Sequence, residues 1–207
     1  MTRVTQQHVD ARRESILDAA ARLFARNGIS GATMAEIAAE ADLSAGAIYR
    51  YFGSKEELLR AVFEEAATRN QEMFRQASEN AESPFETLER VGRRIWVEQE
   101  DRDDLICEIQ MALSAARDPH DFGAELARNR QVVRELLEQT IRAAQQAGEI
   151  DPEVDASTLA LILQACTGGI QMLKLEDGEA IDAEAAFELF KRMVIGLGNG
   201  AHRRTGR

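Results

Sequence analysis

Between Ser44 and Lys55 the chain reads SAGAIYRYFGSK, and side chains suited to binding chemistry are concentrated there. Arg50 lies between Tyr49 and Tyr51 on a segment of fewer than two helical turns, and Lys55 follows in the first turn of the next apolar run. A guanidinium can fork onto the two acceptors of a guanine edge, whereas a phenol hydroxyl and an ammonium suit phosphate oxygens. Ala45, Gly46 and Ala47 make the leading edge of this segment nearly flat, which lets a backbone approach the floor of a groove. Lys55 is unfavourable to the dipole of the helix it opens, which prefers an anion, but it makes sense beside a phosphate. The competing reading is a small structural bundle of short capped helices with no ligand.

The elements that must position these residues are legible from their caps. Thr33 and Glu36 have the spacing of a capping box, so a helix starts at Met34, and Ile37, Ala38 and Ala41 give it one small apolar face. Asp42 stops it, because a short polar side chain tolerates a left-handed backbone. Ser44 is read as the cap of a second short helix whose Ile48 and Phe52 share a buried face, and Gly53 ends that helix. Ser54 with Glu57 opens a third. Upstream, Ile16, Ala20, Leu23 and Phe24 recur at helical spacing from Arg12 to Asn27, with Gly28 as a C-cap glycine. A three-helix cluster around Leu23, Phe24, Ile37, Leu43, Ile48 and Phe52 follows, with the outer face of Ser44 to Tyr51 in solvent.

The run from Arg12 to Phe63, and above all Phe24, TMAEIA and AIYRYFGSKEELL, resembles the N-terminal domain of the TetR family of bacterial transcriptional regulators. Asp42 stands where that family commonly has glycine. The resemblance implies an all-α, nine-helix architecture: a three-helix helix-turn-helix head (residues 1–53) joined by a long fourth helix to a helical effector-binding and dimerisation domain (residues 54–207). It also implies that Ala32 and Thr33 meet a phosphate at the start of the second helix, with Tyr49 and Lys55 holding the backbone. Ser44, Ala45, Gly46, Arg50 and Tyr51 would face the major groove. Arg3, Arg12 and Arg13 lie near the first helix, where they either reach DNA or remain a solvated terminus.

Net charge is -11 at pH 7, which argues against a general affinity for nucleic acid. Its distribution is uneven. Residues 1–60 hold 8 basic and 8 acidic side chains, whereas residues 61–207 hold 17 and 28. A neutral head on an acidic body limits non-specific binding, so local geometry has to supply affinity. With 207 residues and 44% hydrophobic content the chain can build a second core. It shows no signal-peptide pattern and reads as having no run of about 18 apolar residues, so a soluble cytoplasmic protein is expected. Cys107 and Cys166 are expected as buried reduced thiols.

Downstream the pattern stays helical, without repeats or strand-like alternation. Ser83, Pro84 and Glu86 open a fifth helix, a sixth runs from about Asp104 to Ala116, and a seventh from about Pro119 to Ala147. From Asp155 to Leu175 nearly every face is apolar, and from Asp182 to Leu197 Phe187, Phe190, Val194 and Leu197 form a stripe beside Leu189, Met193 and Gly196. In the resembled family this last pair joins its twofold mate as a four-helix bundle, and a twofold dimer suits a palindromic operator with half-sites roughly 34–36 Å apart. Gln164, Thr167 and Gln171 share a helix face, either lining a cavity for a small-molecule effector or bonding across the dimer seam. Trp96, Met111 and Phe122 are candidate cavity walls.

The enzyme classes find no foothold. The chain has no phosphate loop, no GxSxG elbow and no HExxH pair, and its three histidines are scattered. No cofactor is expected. The sequence therefore points to a ligand-responsive, homodimeric regulator, most simply a repressor; the alternatives are a helical scaffold without specific DNA binding, or an enzyme lacking a recognisable motif.

Overall fold

The computed structural model describes residues 6–98, 101–117 and 122–198. Helix α1 (Gln6–Gly31) buries Ile16, Ala20, Leu23 and Phe24, the residues whose spacing predicts it. It runs past the expected stop but is kinked at Gly28, whose φ of 71° and ψ of 159° suit glycine alone. Helix α2 (Met34–Glu40) starts on the Thr33 capping box and ends in a Schellman motif. There Asp42 takes a φ of 55°, and the Leu43 and Asp42 amides donate to the Ala38 and Ala39 carbonyls at 2.8 and 3.2 Å.

Helix α3 is only Ala45–Ile48, followed by turn residues to Tyr51, and Ser44 precedes it in extended conformation. The hydroxyl of Ser44 makes no capping bond, contrary to expectation. Helix α4 (Lys55–Glu79) starts on Ser54, whose Oγ accepts from the Glu57 amide at 3.1 Å. The Glu57 carboxylate reaches back one residue further than a standard capping box, to the Gly53 amide at 2.7 Å. Ser83 caps α5 (Pro84–Arg93) with Pro84 in the first turn, and Arg94–Glu98 then continues as a π-turn carrying Trp96. The remaining helices are α6 (Arg102–Arg117), α7 (Phe122–Gln146), α8 (Ala156–Asp177) and α9 (Ala183–Gly198), with no strand among the described residues.

Two compact units result, and they do not part at residues 53 and 54. Among the described residues, the first unit takes those up to Thr68 together with Asp101–Ala127. The physical reason is α6, whose Cys107, Met111 and Ala115 are buried in one cluster with Ile16, Phe24, Ile48 and Phe52. Met111 is therefore core of the first unit and not a cavity wall. The second unit, the described part of Arg69–Glu100 and Arg128–Arg207, is built around Phe74, Ile141, Leu159 and Val194, with a satellite of Trp96, Ile170 and Phe187. Cys107 belongs to the first unit and is buried; Cys166 belongs to the second and is only half-buried, contrary to expectation, and no disulfide joins cysteines among the described residues.

Candidate nucleic-acid interface and ligand cavity

At the start of α2 a single carboxylate oxygen of Glu36 accepts from the Thr33 amide at 2.8 Å and from the Thr33 hydroxyl at 2.7 Å, and the Glu36 amide donates back to that hydroxyl at 3.3 Å. The hydroxyl of Thr33, its amide and the nearby Lys55 ammonium, in that order, hold the Glu36 carboxyl below the usual carboxylate range. Its hold on the helix start is thus complete above the ordinary carboxylate pKa and is lost as pH falls through the lowered value. Ala32 is buried at 1% exposure, and its amide donates to the Gly28 carbonyl at 3.2 Å. Both amides are thus engaged within the chain, Ala32 with Gly28 and Thr33 with Glu36. The Lys55 Nζ lies 3.4 Å from the Ser30 carbonyl, and its charge acts on the Glu36 carboxylate.

The α3 edge is barer. Ser44, Ala45, Gly46, Tyr49 and Arg50 are exposed, Tyr49 at 55%, while Ala47 and Ile48 hold the segment to the core. A Cβ built on Gly46 meets no atom of the chain, so nothing within the protein requires glycine there. Tyr51 differs from its expected outward projection: it is half-buried, with its ring against the core. Three other basic residues of the head are committed. Glu40 pairs Arg22 at 3.3 Å and Arg26 at 2.7 Å, and the Arg13 guanidinium stacks 4.4 Å above the Phe52 ring. The Arg50 guanidinium has no partner among the described residues. Arg12 is half-buried on α1, and Arg3 lies outside the described residues.

The second unit holds a cavity of about 120 Å³, walled chiefly by Phe74, Trp96, Leu137, Leu163, Phe187 and Phe190. Trp96 stacks on Phe190 at 4.9 Å between ring centroids and meets Phe187 edge-on at 6.0 Å. Its indole N-H donates to the Thr167 hydroxyl at 3.2 Å, which itself donates to the Leu163 carbonyl. Gln164 also lines the cavity, its carbonyl oxygen accepting from Arg134 at 3.2 Å and its amide nitrogen donating to the Arg130 carbonyl at 3.3 Å. The structure thus brings Trp96, Gln164 and Thr167 together. Gln171 is half-buried but not on the cavity wall, and the side chain of Phe122 lies outside the described residues.

Sequence reading missed Phe74 as a wall. It also assigned Phe187, Phe190 and Val194 to a dimer stripe, whereas they line the cavity, with Phe187 and Val194 buried. The charged wall residues are Glu89 and Lys191, whose Nζ lies 2.9 Å from Glu89 and 2.9 Å from Glu188. Those carboxylates, Glu89 first, raise the Lys191 ammonium above its ordinary value. A Cβ on Gly92 would lie 2.8 Å from Cε2 of Phe187. Gly92→Ala should therefore push that ring toward Trp96 and lose about 1–3 kcal/mol of stability, seen as a lower unfolding midpoint with altered tryptophan emission.

On α8 and α9 a different face is unpartnered. Leu161, Ile162, Met172 and Leu173 on α8 and Leu189 and Met193 on α9 are each 43–61% exposed. Contrary to the sequence reading, α8 is long and apolar enough by length and composition to cross a membrane, a test that core helices of soluble proteins also pass. It carries Gln164, Thr167, Gln171 and Lys174, and the Lys174 ammonium reaches the Trp96 carbonyl at 3.3 Å.

Residues 16–62 match the family model described as bacterial regulatory proteins, tetR family, and residues 109–189 match a tetracyclin repressor-like C-terminal domain. The chain is 30% identical over 201 residues to the HTH-type transcriptional regulator UidR of Escherichia coli K12, covering 92% of this chain and 94% of that one. It is 29% identical over 157 residues to the HTH-type transcriptional repressor AcnR of Corynebacterium efficiens, covering 76% and 78%. A TetR transcriptional regulator from Chloroflexus aurantiacus superimposes with a TM-score of 0.77 at 27% identity, over 90% of this chain and 96% of that one. With the α2–α3 edge as its helix-turn-helix, the chain belongs to the TetR family of bacterial transcriptional regulators.

Proposed function

We propose that the protein is a cytoplasmic, homodimeric repressor that binds a palindromic operator and is released by a small-molecule effector seated against Trp96. The observation that carries the DNA reading is the exposed edge of Ser44, Ala45, Gly46, Tyr49 and Arg50, on which Arg50 has no partner among the described residues while Arg13, Arg22 and Arg26 are committed within the head. By role, residues 1–53 read DNA and the rest binds effector and partner. Thr33, Tyr49 and Lys55 position the backbone; Ser44 to Gly46 and Arg50 face base edges. The apolar cavity supports effector binding. Phe74 in its wall belongs to α4, the same helix whose first turn carries Lys55, so a guest that shifts α4 has a covalent route to the head. Its leverage equals its differential affinity for the DNA-competent and incompetent states.

Selection of bound sequences from random DNA, followed by footprinting, tests the reading. Enrichment of a palindrome is expected, and no enrichment would overturn it. On the selected site, Arg50→Ala should cost about 1–3 kcal/mol and relax preference at one base position. Lys55→Ala should weaken all sites alike and reduce the salt slope by about 1. Equal loss on every base variant with Arg50→Ala would reassign Arg50 to phosphate.

A further inference from the structure

The cavity against Trp96 is small for an effector. Its roughly 120 Å³ suits a benzene-sized guest, well below the roughly 300–1,000 Å³ of sites for drug-sized ligands. A second hollow of about 270 Å³ lies in the same unit, lined by Gln71, Arg75, Ser78, Thr87 and Thr140 among others. Phe74, only 6% exposed, lines both.

The two hollows differ in chemistry. Both expose mainly apolar surface, the first almost wholly so although Glu89, Gln164, Thr167 and Lys191 also line it; the second combines Phe74, Val132 and Leu136 with a larger polar share from three hydroxyls and an amide. Those hydroxyls donate to backbone carbonyls, Ser78 to Arg75 at 2.8 Å, Thr140 to Leu136 at 2.8 Å and Thr87 to Ser83 at 3.4 Å, so what each has left to offer is acceptor capacity. Arg75 is the cation of the groove, but it is clamped by both Glu72 and Glu79, and the Glu72 carboxyl is drawn down to about 2 chiefly by its bond to Arg75. Two carboxylates on one guanidinium leave the spot net negative, which disfavours an anionic guest.

We propose that the two hollows are compartments of one effector site, and that the effector is an uncharged amphipathic molecule with its apolar end against Trp96 and a hydrogen-bond-donating end in the groove, the Phe74 ring turning aside to join them. This rests on reading the Trp96 cavity as the effector site. Joined, the compartments reach the volume range of sites for drug-sized ligands. A guest confined to the first compartment leaves Phe74 in place, while one that spans both must displace it, and with it bias α4.

Trp96 is the only tryptophan, so its emission reports the first compartment directly. The full chain is titrated with toluene, 1-decanol and decanoate. Toluene and decanol should each change Trp96 emission and compete with one another, and decanoate should bind about tenfold more weakly than decanol or worse. Ser78→Phe, which fills the groove from an exposed rim position, should leave the toluene response intact. It should weaken decanol about tenfold or more, the effect of excluding two or three methylenes. Thr140→Phe should do the same from the α7 side, and the retained toluene response certifies the fold of each variant. Decanol binding that ignores both substitutions, or decanoate binding as tight as decanol, overturns the two-compartment site. Silence of Trp96 toward toluene and decanol alike overturns the effector-cavity reading itself, and the proposal with it.

Discussion

Leu189→Asp combined with Met193→Asp is expected to convert the proposed homodimer to monomers and to remove high-affinity operator binding while leaving helical content unchanged. Both side chains are more than half exposed in the protomer, at 54% and 61%, so neither supports the fold of one chain. They lie one turn apart on α9, and α8 adds Leu161, Ile162, Met172 and Leu173 as a second exposed apolar row. Burying a leucine or methionine stabilises by about 1.5–3 kcal/mol, and in a twofold seam each position counts twice. Since a little over half of each side chain remains to be buried, the pair of substitutions then removes about 3–7 kcal/mol before any desolvation of carboxylates, against about 8 kcal/mol for an entire micromolar dimer. Operator binding follows, because linking two heads raises affinity by about 10²–10⁴ over one head. Sedimentation velocity and operator titration read both effects. A double variant that stays dimeric would place the seam elsewhere than on α8 and α9.

What could be read from the chain, and what could not, divides by the range of the interactions. The Thr33–Glu36 box, the Ser83–Pro84 start and the left-handed Asp42 involve residues within a few positions of one another, and each is present as its spacing predicts. Ser44 has the right residue type for a cap but makes no capping bond, because a helix of four residues is set by burial of Ala47 and Ile48 more than by its first turn. The longer-range features were hidden. Nothing local distinguishes Met111 on α6, packed with α1, from a cavity methionine, and periodicity alone cannot say which side of α9 meets α5 and α8. The aromatic stripe Phe187, Phe190 and Val194 was the stronger signal, and it went inward; the weaker Leu189 and Met193 row stayed outside.

The head's chemistry was legible in residue type but not in availability. Arg13, Arg22, Arg26 and Arg50 are alike as letters, yet a ring and a carboxylate eighteen or fourteen residues away commit the first three. The same holds for Ala32 and Thr33, whose amides are taken by Gly28 and Glu36. Charge counts gave a neutral head; pairing shows that Arg50 is an unspent charge in it.

Phe52→Ala is expected to abolish operator binding by a route opposite to that of Arg50→Ala, through the stability of the head. The ring is fully buried in the cluster with Phe24, Ile37, Ile48 and Leu58, and the Arg13 guanidinium covers its face. Truncating a buried phenylalanine costs about 3–5 kcal/mol, and loss of an exposed cation–π contact adds about 0.5–1. Against a total of about 5–15 kcal/mol for a domain, that is about a quarter or more of the stability. Helix α3 has only four residues and cannot persist without tertiary support, so its exposed edge disperses when the ring beneath it is gone. The unfolding midpoint of the head should fall, and amide exchange across α2 and α3 should accelerate, whereas Arg50→Ala should leave both untouched while losing base preference. An alanine variant that keeps the parental midpoint but no longer binds DNA would mean that Phe52 acts at the DNA surface and not in the core.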